Sequence, residues 1–263
     1  MVQVSGLGQL KSPNRTLARS DDYVEYCRQT AKNARDLHDL ALRGRHLKEV
    51  TKAICQSIAE EVSLGPGDDL VDIGCGDGTL LRIAHQLGVN SAIGLLATDE
   101  EVALVRRTGL DVRQALAHQL TLPDECASVV VCNNVLLIVP REKIYASLRE
   151  IRRIAKTNAR IYIGEIPSAP PKDPTPQFAT SREALSYMHE KHGLRTWLGL
   201  LRRMIWSQIK GQQLTISPGT AISFFATSEE FAALAGAAGM QVVRQWPHEH
   251  YGGRKNYLLR KAS

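Results

Sequence analysis

From Leu70 onward, short apolar runs and amphipathic runs take turns along the chain. LVDIG at Leu70 leads into TLLRIAHQLG, AIGLL at Ala92 into DEEVALVRRTG, and SVVVCNN at Ser128 into REKIYASLREIRRIA. A short DVRQA lies at Asp111, and ARIYIGE at Ala159 is followed, after an interruption, by SEEFAALAGAAG. Short apolar runs bounded by turn residues predict strands; longer runs with apolar residues three and four apart predict helices. Strands that alternate with helices build a mostly parallel sheet covered on both faces, because each parallel step needs a crossover. The closing pair breaks the rule. MQVVRQW and KNYLLRK are separated only by PHEHYGGR, too short for a crossover helix, so the last strand must run antiparallel to its neighbour. The expected core is therefore α/β and Rossmann-like, a seven-stranded, mostly parallel sheet whose last strand is antiparallel.

Two further pieces flank this core. DDYVEYCRQTAKNARDLHDLALRG and HLKEVTKAICQSIAEEVSL read as helices, the second apolar at Val50, Ile54, Ile58 and Val62, and Gly65-Pro66-Gly67 ends them. Residues 1–60 thus form a polar tail and a helical cap, and 61–166 with 226–263 form the core. The remaining 167–225 make an insertion, a lid or acceptor-binding element. It opens on PSAPPKDPTP, a stiff extended linker, and continues into GLRTWLGLLRRMIWSQIK. There Leu194, Trp197, Leu198, Leu201, Ile205 and Ile209 share one helical face, with Arg195, Arg202, Arg203 and Lys210 beside it. Such a helix packs on the core as a lid, or meets an amphipathic or acidic partner, a membrane surface included.

Composition narrows the function classes. The chain has 263 residues, 43% hydrophobic and 23% charged, which suits one large domain with an elaboration. Its net charge of +6 favours an anionic ligand, but the basic residues are spread out and no nucleic-acid patch stands out. Five cysteines without paired metal spacing lie mostly in apolar stretches, as expected in the reducing cytoplasm. His189 and His192 are three apart but have no carboxylate cluster near them in sequence, so no metal site is expected. No apolar run is long enough to span a bilayer.

The chemistry concentrates in LVDIGCGDGTLL, Leu70 to Leu81. Glycines where a strand turns into a helix let backbone approach a ligand, and the helix N-terminus offers free N–H donors. A dinucleotide loop needs G-x-G-x-x-G, but here its third glycine would fall on Thr79 or Leu81; the spacing is G-x-G-x-G. YMHEK, Tyr187 to Lys191, matches the Tyr-x-x-x-Lys pair of short-chain dehydrogenases but follows a proline-rich stretch in place of the expected strand.

Asp72-Ile73-Gly74-Cys75-Gly76-Asp77-Gly78 resembles the first motif of class I S-adenosylmethionine (SAM)-dependent methyltransferases of the small-molecule type. LPDECASVVVCNNVLLIVPREKIYASLREIRRIAKTNARIYIGE resembles the family's stretch from its third motif through its fifth strand, and FATSEEFAALAGAAGM its last helix. The likeness spans Glu60 to Gly164 and Ala226 to Lys261. It implies that Asp72, Gly74, Cys75, Gly76 and Gly78 surround the methionine part and ribose of SAM. It further places Leu96, Ala117 and Asn133 beside the cofactor. Leu96 stands where the family has an acid for the ribose hydroxyls, and Leu116 where it often has one for the adenine amino group. Ser128 replaces the Phe-Asp pair that usually opens the fourth strand, and Leu137 or Ile138 a histidine common in one subgroup. These replacements leave open a binding protein without catalysis, or non-methyl chemistry on the same fold.

Methyl transfer asks for alignment, with a base only when the acceptor must lose a proton. The PHEHYGGR hairpin falls at the same sheet edge as the glycine loop, so His248, His250 and Tyr251 are the candidate catalytic residues, with Asn133, Asn134 and Glu165 nearby. Asn133-Asn134 is not the Asn/Asp-Pro-Pro-aromatic motif of nucleic-acid amino methyltransferases, which argues against a nucleic-acid acceptor. The expected activity is methyl transfer to oxygen, nitrogen or carbon of a small molecule, anionic or amphipathic.

Overall fold

The computed structural model describes residues 22–34, 36–44, 48–170, 223–249 and 252–262, together with positions 194, 198 and 202. Helix α1 (Asp22–Asn33), a 3-10 turn (Leu37–Gly44) and α2 (Lys48–Glu61) precede the sheet. Then follow β1 (Asp69–Ile73), α3 (Thr79–Gln86), β2 (Ser91–Leu96), α4 (Asp99–Arg106), β3 (Val112–Gln114), β4 (Ala127–Asn133), α5 (Ile144–Ile154) and β5 (Ala155–Pro167). Helix α6 (Ser228–Ala237), β6 (Met240–Pro247) and β7 (Arg254–Lys261) complete the core. The helix expected over GLRTWLGLLRRMIWSQIK in the insertion lies outside the described residues, apart from Leu194, Leu198 and Arg202.

All seven strands join one sheet in the order β3-β2-β1-β4-β5-β7-β6. Neighbours from β3 through β5 are parallel; β7 alone is reversed, pairing antiparallel with both β5 and β6. This is the reversal that the short PHEHYGGR connection requires. Central strand β4 shows why its sequence lacks alternation. Val129, Val130, Val131 and Cys132 are all fully buried, because helices cover both faces. One face packs Val130, Ile73 and Ile161 against Ile144, Leu148, Ile151 and Ile154 of α5 and Phe231 of α6. The other packs Leu70, Val129 and Val131 against Ile54 and Ile58 of α2, Leu80 and Leu81 of α3, and Val102 and Val105 of α4. Each such side chain contributes about 1.5–3 kcal/mol on full burial.

Polar groups lock the far edge of the sheet. Ser128 Oγ accepts from the Asp69 amide at 2.9 Å and donates to Asp68 Oδ1 at 2.8 Å, and Arg160 closes on the same carboxylate. Ser128 thus ties β1 to β4, a structural task that accounts for its place in the sequence. Beside it Lys156 Nζ lies 2.6 Å from Asp69 Oδ2, and with Asn90 and Ser91 it pulls the Asp69 carboxyl down to about 2.

From β1 the chain moves outward one way through β2 and β3, then returns to β4 and moves the other way. The ends of β1 and β4 therefore flank the crevice where a ligand is expected.

Candidate functional site

The glycine loop leaves β1 at that crevice. The amides of Gly74 and Cys75 both donate to Leu95 O, at 2.8 and 3.2 Å, bending the loop over the end of β2. Gly74, Gly76 and Gly78 have φ of 75°, 54° and 76°, in the left-handed region that disfavours side chains. Packing makes two of them obligatory. A Cβ on Gly74 would lie 2.3 Å from Val135 Cγ2, and one on Gly78, the N-cap of α3, 2.4 Å from Leu110 Cδ1. Asp77 holds the turn, its Oδ1 accepting from Thr79 N at 2.9 Å and Thr79 Oγ1 at 2.7 Å, with His38 Nδ1 3.5 Å from Oδ2.

Over the loop opens a cavity with about 1150 Å³ of empty space, part of it continuous with solvent. Helix α1 roofs it with Tyr23, Tyr26, Cys27 and Thr30, and α2 contributes Thr51, Ile54 and Cys55. The floor is Asp72, Gly74, Cys75, Gly76 and Asp77; one wall is Leu96, Ala97, Glu101, Ala115, Leu116 and Ala117, and the opposite end carries Asn133 and Asn134. Of the residues expected around a cofactor, Asp72, Gly74, Cys75, Gly76, Leu96, Ala117 and Asn133 all line this one cavity. Gly78 stands just behind it, packed on Leu110.

Asp72 dominates the electrostatics. Its carboxylate is 5% exposed and meets no hydrogen-bond donor among the described residues. Burial, with the Asp77 charge added, pushes its carboxyl up to about 7. Two carboxylates at the foot of a glycine loop favour a cationic group above them. Burial also pushes the Cys55 and Cys75 thiols up, so neither is a thiolate nucleophile near neutral pH. The polar foot with an apolar wall at Leu96, Leu116 and Ala117 suits an adenosyl ligand with an ammonium at one end, and SAM meets that description.

The wall also contains a residue that the sequence reading passed over. Glu101, third in α4, is buried and folds back on the helix start: Thr98 N and Thr98 Oγ1 donate to its Oε2 at 3.1 and 2.9 Å, while its own amide donates to Thr98 Oγ1. The signal was present as Thr98-x-x-Glu101, the spacing of a capping box. Tyr23 and Tyr26 were also unforeseen, since no local pattern tells that α1 crosses the cavity.

At the end of the cavity formed by Asn133 and Asn134 the backbone is strained. Asn134 and Glu165, at the tips of neighbouring strands β4 and β5, have φ of 57° and 62°. The wholly buried Glu165 is held from three sides. Arg254 Nη1 donates to its Oε2 at 2.5 Å, Asn133 Nδ2 to its Oε1 at 3.2 Å, and its amide donates to Asn256 Oδ1 at 3.1 Å. His248 Nε2 lies 3.8 Å from Glu165 Oε1, and the His248 amide donates to Arg254 O. His248 is therefore buried behind Glu165, away from the cavity wall. His250 and Tyr251 lie outside the described residues, as do His189 and His192. Among the described residues no group of three or more His, Cys, Asp or Glu side chains is arranged to hold a metal ion, and no helix is long and apolar enough to cross a membrane.

Residues 71–163 match a family described as "Methyltransferase domain". Among curated proteins, none matches the chain. Solved structures with similar folds include a SAM-dependent methyltransferase from Methanosarcina mazei, 18% identical, with a TM-score of 0.53 over 78% of this chain and 97% of that one. Another is the [4+2]-cyclase SpnF, 16% identical, with a TM-score of 0.56 over 92% and 93% of the two chains. A third is a SAM-dependent methyltransferase from Aquifex aeolicus, 14% identical, with a TM-score of 0.51 over 80% and 89%. The match over residues 71–163 thus gives this part of the chain its likeness to a methyltransferase domain, and the seven-stranded fold around it is shared with solved SAM-dependent methyltransferases.

Proposed function

We propose that the protein binds SAM over its glycine loop and transfers the methyl group to oxygen, nitrogen or carbon of a small-molecule acceptor. The observation that carries the reading is Asp72, a buried carboxylate facing the cavity with no donor among the described residues. Left unpaired, such a group costs about 1–3 kcal/mol, which a ligand ammonium offsets. When bound, SAM supplies a methyl group already activated on a sulfonium. Asp72 then binds the ammonium, the turn at Gly74, Cys75 and Gly76 brings backbone against the ligand, and Leu96, Leu116 and Ala117 exclude water from the adenosyl side. Gly78 acts through the loop it closes.

On this reading the acceptor enters at the end formed by Asn133 and Asn134. For acceptors that must lose a proton, His250 or Tyr251 is the proposed base, since His248 is buried against Glu165 outside the cavity lining. The basic chain suits an anionic or amphipathic acceptor in preference to nucleic acid, with a membrane surface as its further place of contact. The five cysteines, none of them in a disulfide, suit a cytoplasmic site of action.

Titration calorimetry with SAM and S-adenosylhomocysteine tests the reading. Saturable binding that Gly76→Arg abolishes supports it; folded protein that binds neither at millimolar concentration refutes it. A second reading, nucleoside binding without methyl transfer, is favoured by Leu96 and Leu116 in the wall. It predicts binding with no conversion of SAM to S-adenosylhomocysteine across an acceptor panel.

A further inference from the structure

Two neighbouring strand tips hold non-glycine residues in left-handed backbone: Asn134 after β4, with φ of 57°, and Glu165 in β5, with φ of 62°. Such strain costs stability and collects where a ligand is gripped. Of the two, Asn134 lines the cavity. We infer that Asn134 is the specificity-determining residue for the acceptor, and that it donates a side-chain N–H to a carboxylate which the acceptor carries. The inference rests on the SAM reading above, which brings the acceptor to this end of the cavity.

The orientation of the Asn134 amide is the main support. Arg254 Nη1 lies 3.4 Å from Asn134 Oδ1 while it donates to Glu165 Oε2 at 2.5 Å. A guanidinium has donors only, so the amide turns its oxygen to Arg254 and its nitrogen away. That nitrogen carries two N–H groups, and neither meets an acceptor among the described residues. A cation at the amide oxygen also polarises the group and strengthens its N–H donors. Arg254 at the same time offsets the Glu165 charge, so an incoming anion does not face an uncompensated carboxylate there. Asn133 is committed elsewhere, its Nδ2 donating to Glu165 and its Oδ1 packed against Gly164. Val135, Ile138 and Val139 follow Asn134 in the cavity lining and suit an apolar body on the acceptor. Among oxygen groups a carboxylate gains most, because hydrogen bonds to ionised acceptors are about twice as strong as neutral ones.

Asn134→Gly is the discriminating variant, because glycine adopts left-handed backbone without strain and removes only the side chain. The full chain, saturated with S-adenosylhomocysteine, is titrated with benzoate and with benzyl alcohol and followed by ligand-observed NMR. Wild type should bind benzoate at least about tenfold more tightly than benzyl alcohol. Asn134→Gly should lose about tenfold to a hundredfold for benzoate and stay within about twofold for benzyl alcohol. Affinity for S-adenosylhomocysteine should be the same in both proteins. Wild type without a preference for benzoate, or a variant that binds benzoate undiminished, overturns the inference and leaves the SAM reading standing. So does an equal loss for both probes, or weaker S-adenosylhomocysteine in the variant, either of which marks Asn134 as a support of the cavity wall. Wild type that binds no S-adenosylhomocysteine overturns both.

Discussion

Asp72 sets the most specific expectation at the scale of single residues. Its folded pKa of about 7 exceeds the ordinary 3.8, so the folded chain holds a proton that the unfolded chain has released. Ligand-free stability from this group is full below about pH 4, falls as pH rises, and is lost above about 7. Asp72→Asn should therefore match wild type in urea unfolding at pH 4 and exceed it by about 1–3 kcal/mol at pH 8. Ligand binding runs the other way: wild-type affinity for S-adenosylhomocysteine should rise up to about pH 7 and level off, and the variant should lose both the slope and at least about tenfold in affinity. Calorimetry across that pH range checks both. Gly164 offers a second case, since a Cβ there would lie 2.0 Å from Asn133 Oδ1 and 2.6 Å from Tyr162 Cε1. Gly164→Ala should displace Asn133 from Glu165 and cost about 1–3 kcal/mol, measured by chemical denaturation. The glycine loop and Asp72 were legible because chain-local geometry demands those residue types. Glu101 was not, because its role arises from a side chain turning back across a helix end. Ser128 looked like a lost motif, and its bonds to Asp68 and Asp69 depend on strands 59 and 60 residues apart in sequence.

At the scale of elements, periodicity located all seven strands and the reversed last one, because burial on one or both faces fixes the pattern. Boundaries moved where another force intervened. Strand β5 begins at Ala155, earlier than its apolar run at Ala159, because α5 ends at Ile154 and the chain passes straight into extended structure, with Ala155 paired to Ala127. The helix expected from Arg141 begins instead at Ile144, after a 3-10 turn that follows Pro140. Helix α6 carries its own capping box, Thr227 with Glu230, neither of which lines the cavity. Thr227→Ala should cost about 1 kcal/mol in unfolding free energy and leave ligand affinity unchanged. The bulge that tips Glu165 into left-handed backbone shows the opposite balance, since it is retained by buried charge pairing. Glu165→Ala leaves Arg254 without this carboxylate and should cost about 3 kcal/mol or more, with faster proteolysis at the β6–β7 hairpin as the second readout.

Across the whole molecule, the cavity is assembled from distant parts of the chain. Its floor comes from β1, its wall from α4 and the segment after β3, and its roof from α1, pinned where Arg28 and Lys32 meet Glu100. Sequence patterns foresaw a helical cap but not what it covers, because that is decided by the α1–α4 contact. Removing residues 1–46 should preserve the β-sheet circular dichroism and lower the melting temperature, since Ala31 and Leu40 leave the core beside α2 and α3. The same truncation should weaken S-adenosylhomocysteine at least about tenfold, a loss larger than exposed ion pairs alone would produce.

Strand β7 is last in order but interior in position, seated between β5 and β6. On a ribosome, then, the sheet cannot be finished from one side to the other. Until Arg254–Lys261 emerges, β5 keeps an open ladder edge, β6 has no strand to join, and Tyr257 and Leu259 are missing from the core around Phe231. The nascent chain must carry that gap through synthesis of everything before it, and a product cut short after Gly253 lacks a central stave and exposes an edge on which other chains can add.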